Sequence, residues 1–177
     1  MNSPMLRATG AVLLTLALAP AAQAQVSANR VAAETAWSVF VDENPKECWA
    51  VSAPTETLNT KDGSPVSVRR GDILLFVTYR PGNPVELSFT GGYPFAEGST
   101  VSVDIGGTKF ELSTFTDSPE WAWSGSPDED AKIVAALKAG ASAVLTARSS
   151  RGTQTQDTFS LIGVSSALDQ AEKRCAG

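Results

Sequence analysis

Apolar and polar positions alternate over short stretches along most of the chain. Trp37, Val39 and Val41 interleave with Ser38 and Phe40, a period-two pattern that predicts a strand. Asp42-Glu43-Asn44-Pro45 turns the chain, and Cys48-Trp49-Ala50-Val51-Ser52 reads as the return strand. Residues 55–64 read as a polar loop, with Asp62-Gly63 as a strong turn signal. Val66 and Val68 open a further strand, followed by Arg69, Arg70 and Gly71. Residues 73–79 are a continuous apolar run, expected as a central strand covered on both faces. Val85, Leu87 and Phe89 alternate again, and Gly91-Gly92-Tyr93-Pro94 breaks the pattern. Val101, Val103 and Ile105, then Gly106-Gly107 and residues 109–113, make the clearest hairpin.

The C-terminal half changes period. After the short aromatic strand Trp121-Ala122-Trp123, Ser126-Pro127-Asp128-Glu129 has the form of a helix start. Ser126 caps, Pro127 takes the first helical position and Glu129 completes a capping box. Ile133, Val134 and Leu137 form its apolar stripe, and Gly140 stops it. Residues 143–148 and 155–161 are strands around the Arg151-Gly152 turn. Ser165 is expected to cap a terminal helix that carries Leu168 and Ala171 and delivers Cys175. Many short strands with two short helices in the C-terminal half predict a mainly β domain, an antiparallel β-sandwich or barrel-like fold.

The first 24 residues read as an export signal. Arg7 supplies the positive start, residues 8–19 the apolar run, and Ala22-Gln23-Ala24 a small-x-small cleavage site. The run is shorter than the roughly 20 residues a membrane span needs. The expected organisation is a signal peptide over 1–24 and one β-rich domain over 25–177, whose opening residues 25–35 read as a loose leader. The expected compartment is the periplasm, with secretion as the alternative. There the chain's two cysteines, Cys48 and Cys175, have one intramolecular bridge open to them. A redox thiol is the other reading, but it lacks both a C-x-x-C spacing and an activating histidine.

Composition narrows the chemistry further. With no histidine, every Ser-His-Asp or Cys-His arrangement and every His-bearing metal site is excluded. A formal net charge of −5 argues against nucleic-acid binding, which rests on phosphate neutralisation. The sequence holds no nucleophile elbow and no P-loop, and it implies no cofactor. Asp128, Glu129 and Asp130 crowd one helix start, where capping and solvated charge explain them. Arg69 and Arg70, with Lys61 and Arg80 as possible neighbours, form one basic concentration; its plain alternative is a local ion pair with Asp72. Tyr93, Phe95, Trp121 and Trp123 are either a platform for a peptide or sugar or the closure of one end of the core.

The order of these features resembles the invasion-associated locus B family of exported alphaproteobacterial proteins. The resemblance rests on Trp37-Ser38-Val39, on Cys48-Trp49-Ala50-Val51, and on the late helix from Asp130 to Lys138 followed by Gly140. Its most specific piece is the ending Phe159-Ser160-Leu161-Ile162-Gly163-Val164-Ser165-Ser166-Ala167-Leu168. Family members often carry more cysteines, including one near the position of Val41 and a pair in the middle of the chain; this sequence lacks them. The resemblance implies an exported, compact β-rich domain without a defined catalytic centre. Some relatives are linked to entry into host cells, but no residue here marks a host-directed surface.

Three readings follow. The first is a non-enzymatic periplasmic module that binds a protein or envelope component. Its candidate contact surface is Tyr93, Phe95, Trp121 and Trp123, with Arg69 and Arg70 as a second patch. The second is an envelope hydrolase using carboxylates such as Asp104, Glu120 or Asp128. The third is a structural module of an envelope assembly, closed by the disulfide.

Overall fold

The structure is a computed structural model and describes residues 29–176. Its elements, in chain order, begin with β1 (Arg30–Glu34), β2 (Trp37–Glu43), β3 (Lys46–Ser52), β4 (Glu56–Lys61), β5 (Ser64–Pro65), β6 (Leu74–Tyr79) and β7 (Glu86–Thr90). They continue with β8 (Thr100–Ile105), β9 (Thr108–Thr114), β10 (Trp121–Trp123), α1 (Pro127–Ala139), β11 (Ser142–Arg148), β12 (Gln154–Ser160) and α2 (Val164–Cys175). The expected signal peptide falls outside the described residues. Among those described, no helix is long and apolar enough to cross a membrane.

All twelve strands join one antiparallel sheet in the order β1-β2-β3-β6-β7-β10-β9-β8-β11-β12-β4-β5. The order does not close on itself, so the fold is a rolled sheet with sandwich-like packing rather than a barrel. Two contacts show the roll. Phe89 of β7 meets Phe159 of β12 edge-on, with ring centroids 6.2 Å apart. The Trp37 indole N–H of β2 donates to the Ser160 carbonyl of β12 at 3.0 Å.

Topology explains the roll. Strands β3 and β6 are neighbours, yet the chain between them leaves to build the β4–β5 hairpin at the far edge of the sheet. Only residues 53–55 link β3 to β4. Four Cα steps span roughly 14 Å at most, so the far edge must lie beside β3. Residues 66–73 then cross back over this seam to β6.

Alternation sorts the side chains. Val39, Ala50, Leu75, Val77, Leu87, Phe89, Leu112, Val103, Leu145 and Phe159 face one continuous core. Helix α2 packs on β1, β2, β3 and β6, burying Ala167, Leu168, Ala171 and Cys175. Helix α1 buries Ile133 and Leu137. Cys48 and Cys175 form the disulfide, with Cα atoms 5.7 Å apart, fixing the last turn of α2 to β3.

Several sequence expectations need correction. Residues 30–34 are strand β1 rather than a loose leader. The polar segment 55–64 is the β4–β5 hairpin, with Asp62 and Gly63 both at positive φ in its turn. Val66 and Val68 belong to the crossing segment and to no strand. In strand β6, Leu75 and Val77 are buried on the core face and Thr78 on the other, while Leu74 and Phe76 are half-buried, so the outer face is covered only in part. Gly163, at φ 92°, rather than Ser165, caps α2, because a Cβ there would collide with the Glu34 carbonyl of β1. Ser126 does cap α1, its side chain accepting from the Glu129 N–H at 3.3 Å.

Candidate functional site

The face of the sheet opposite the core carries a row of aromatic rings. Val39, Ala50, Val77 and Ala122 point inward, so strand parity turns Phe40, Trp49, Phe76, Trp121 and Trp123 outward. Phe40 stacks on Trp49 across the β2–β3 pair, with centroids 5.7 Å apart and planes 6° apart. Phe76 meets Trp121 at 5.6 Å, Trp121 stacks on Trp123 at 6.0 Å, and Trp123 meets Phe115 at 5.7 Å. These rings are half-buried, and Phe115 is 49% exposed.

Two shallow grooves follow this row. One, of about 280 Å³, runs between Trp49 and Phe76 on one side and Trp121 and Trp123 on the other. Thr78 and Ser88 form its floor, paired to Trp49 and Trp123 in the ladders. The second, of about 470 Å³, continues past Trp123 and Phe115 to the start of α1. Arg80 and Glu86 line both grooves. Arg80 pairs with Glu47 and with Glu86, the latter at 3.3 Å. These ion pairs raise the Arg80 pKa above its ordinary value, with the Glu47 hydrogen bond as the main cause.

The other two aromatic candidates do not join this face. Phe95 is buried in the core, 6.1 Å from Phe89, and so is corrected from a contact residue to a packing residue. Tyr93 is half-buried, packs edge-on against Phe95 at 5.2 Å and hydrogen-bonds Thr155 through its hydroxyl. Burial pushes its phenol pKa up.

The basic pair also splits. The Arg70 guanidinium is buried at the seam, where its Nη1 and Nη2 donate to the two Asp157 carboxylate oxygens at 2.7 and 2.6 Å. Its Nε donates to the Gly91 carbonyl at 2.9 Å, and its plane lies 5.0 Å from the Tyr93 ring centre. Arg70 therefore pairs with a residue 87 positions away in sequence and not with Asp72, the local alternative. Arg69 is exposed and lines a cleft of about 520 Å³ with Arg70, Arg151, Ser149 and Tyr93. Lys61 stands close by, donating to the Arg151 carbonyl at 3.2 Å. Arg80 lies with the aromatic row instead.

The hydrolase carboxylates do not meet. Asp104 clamps the β8–β9 turn, accepting from the Gly107 N–H at 2.8 Å and pairing with Lys109 at 3.0 Å. Glu120 lies on the rim of the Arg69 cleft, and Asp128 is exposed in the first turn of α1. Asp130, expected to be solvated charge, is buried and accepts from the Leu87 N–H at 2.8 Å, tying α1 to β7. Burial raises its pKa. No group of three or more acidic or cysteine residues among those described is placed to hold a metal ion.

Sequence reasoning missed Phe40, Trp49, Phe76 and Phe115 in the aromatic row and Arg151 in the cleft. Strand parity carried the signal for the first two, since Val39 and Ala50 are the core-facing neighbours. In the all-apolar stretch 73–79 that signal is silent.

Comparison with known proteins adds the following. The family model described as invasion associated locus B (IalB) protein matches residues 37–172. The fold is similar to the crystal structure of invasion associated protein B from Bartonella henselae. That likeness has a TM-score of 0.54 and 17% identity, and covers 79% of this chain and 94% of that one. Among curated proteins, none matches this sequence.

Proposed function

Given that the chain belongs to the invasion associated locus B family, we propose that it is an exported periplasmic domain that binds an envelope component without catalysing a reaction. The component we assign to its aromatic face is a glycan strand. On this reading residues 1–24 are the removed signal peptide and 25–177 the working domain. The supporting observation is the ring row Phe40–Trp49 and Phe76–Trp121–Trp123–Phe115 on the face turned away from the core. Such rings are normally spent on a core, and a set left half-exposed marks a contact surface. The polar setting favours a sugar over an apolar partner. Thr78 and Ser88 floor the groove while Glu47, Arg80 and Glu86 line it. Indole faces suit the C–H faces of pyranose rings, and the flanking charges suit their hydroxyls.

The test is titration of the purified protein with soluble peptidoglycan fragments, read by tryptophan fluorescence and calorimetry. Saturable binding that weakens about tenfold in Trp121→Ala, with the melting curve little changed, is the expected result. The absence of any saturable signal overturns the glycan assignment. So does a Trp121-dependent complex with a protein in place of the glycan.

A further inference from the structure

We propose that the cleft lined by Arg69, Arg70 and Arg151 is a binding site for a phosphate-type oxyanion. It is independent of the aromatic face, with which it shares no lining residue. Three observations converge on it.

The first is charge. Arg69 and Arg151 are exposed, and neither makes an ion pair among the described residues. Arg70 is matched by Asp157, and Glu120 opposes on the rim, which leaves the cleft one positive charge in excess; Lys61 beside Arg151 adds another. This excess sits in a chain of net charge −5. A concave site focuses such a field, so an anion approaching this protein is drawn here rather than to the bulk of its surface.

The second is rigidity. The cleft wall is the seam of the rolled sheet, and the Arg70 guanidinium there is held by both Asp157 oxygens, the Asn59 side chain and the Gly91 carbonyl. The opposite wall is a tight turn in which the Ser149 N–H donates to the Thr153 carbonyl and the Gly152 N–H to the Ser149 carbonyl, both at 2.8 Å. Gly92 closes against the Gly71 backbone, where a Cβ would come within 2.6 Å. The backbone that carries Arg69, Arg151, Ser149 and Thr153 is therefore held in place before any ligand arrives, which lowers the entropy lost on binding.

The third is donor chemistry. Ser149 and Thr153 line the cleft while each is only 7% exposed. The Ser149 oxygen accepts from the Thr153 N–H at 3.1 Å, which leaves its own proton free to donate. Two guanidiniums and several hydroxyls around one small volume match the three or four oxygens of a phosphate better than the two of a carboxylate. A volume of about 520 Å³ leaves room for a substituent on that phosphate.

Two sources carry this chemistry, a small phosphate or phosphoester and a phospholipid headgroup. The purified protein is titrated by calorimetry with inorganic phosphate, and in parallel by co-sedimentation with phosphatidylglycerol vesicles, using phosphatidylcholine vesicles as reference. Saturable phosphate binding that falls about tenfold in Arg69→Gln and again in Arg151→Gln supports the site with a small phosphate as ligand. Binding confined to the phosphatidylglycerol vesicles, with the same two losses, supports it with the headgroup as ligand. Glu120→Gln tightens either one, and Lys132→Gln on α1, exposed and outside the cleft, leaves both unchanged. Arg69 and Arg151 are exposed, so their replacement leaves the fold intact, as circular dichroism will show. If neither probe binds, or if Arg69→Gln and Lys132→Gln weaken binding equally, the proposal is overturned.

Discussion

Arg70 and Asp157 meet in a bidentate ion pair with their side chains 6% and 0% exposed, joining the segment that crosses the seam to strand β12. Removing either partner leaves a buried charge without its counter-charge, which typically costs about 3–5 kcal/mol. Asp157→Asn and Arg70→Gln are therefore each expected to lower the urea midpoint sharply. The double change Arg70→Met with Asp157→Leu should recover most of the loss, since a packed apolar pair escapes the desolvation penalty. If a single variant costs less than about 1 kcal/mol, the seam is held by packing and not by this pair.

The disulfide closes a loop with a sequence separation of 127 residues. Chain-entropy arguments assign such a closure about 5 kcal/mol. Cys175→Ser is expected to lower the melting temperature substantially while the far-ultraviolet spectrum stays native, because α2 retains Val164, Ala167, Leu168 and Ala171 in the core. The end of α2 should also gain amide exchange, since its last turn loses its tie to β3. A melting temperature equal to that of the parent would show that the bridge contributes nothing.

Asp130 gives a pH prediction with a definite sign. Burial raises its pKa in the folded chain above the ordinary 3.8. The folded state then holds the proton more tightly than the unfolded one. Asp130 thus lowers stability progressively as pH rises from about 3.8 through its raised pKa. Asp130→Asn keeps an oxygen for the Leu87 N–H and removes the charge, so it should flatten this part of the stability–pH curve. Asp104 and Asp169 act in the opposite sense. Hydrogen bonds from Lys109 and Lys138 hold their pKa values below 3.8, so their contribution is complete well above 3.8 and is lost progressively as pH falls from there through those lowered values. Urea melts between pH 3 and pH 7 on parent and variant separate the two effects; an unchanged slope in Asp130→Asn would refute the assignment.

Legibility in the sequence followed how local each determinant was. The β8–β9 hairpin, the Ser126 cap and the inward set Val39, Ala50, Leu87 and Phe89 were readable because period-two burial and capping act over a few residues. The strand β4 was not, since Glu56, Thr57 and Leu58 are exposed and only pairing with β12 makes a strand of them. The partner of Arg70 was not legible for a related reason. Asp72 is near in sequence, but the crossing segment places Arg70 against β12. Of the four aromatic candidates, Trp121 and Trp123 share a face as their spacing required, whereas Tyr93 and Phe95 follow a glycine pair and leave that face, Phe95 for the core and Tyr93 for a half-buried place beside Arg70.

The sequence by itself determined the alternating strands of the core and the helix α1, the mainly antiparallel β class, the pairing open to Cys48 and Cys175, and the exclusion of histidine chemistry. Each of these depends on residue identity or on spacing within a few positions. Only the tertiary structure decided which aromatics meet in one outward row and which arginines gather in one cleft. The aromatic row follows from the strand order β2-β3-β6-β7-β10, and the arginine cleft from the short link between β3 and β4, which rolls the sheet until its far edge meets its near half. A roll of that kind is a long-range consequence of chain length, and no local pattern of hydrophobic and polar residues encodes where it brings side chains together.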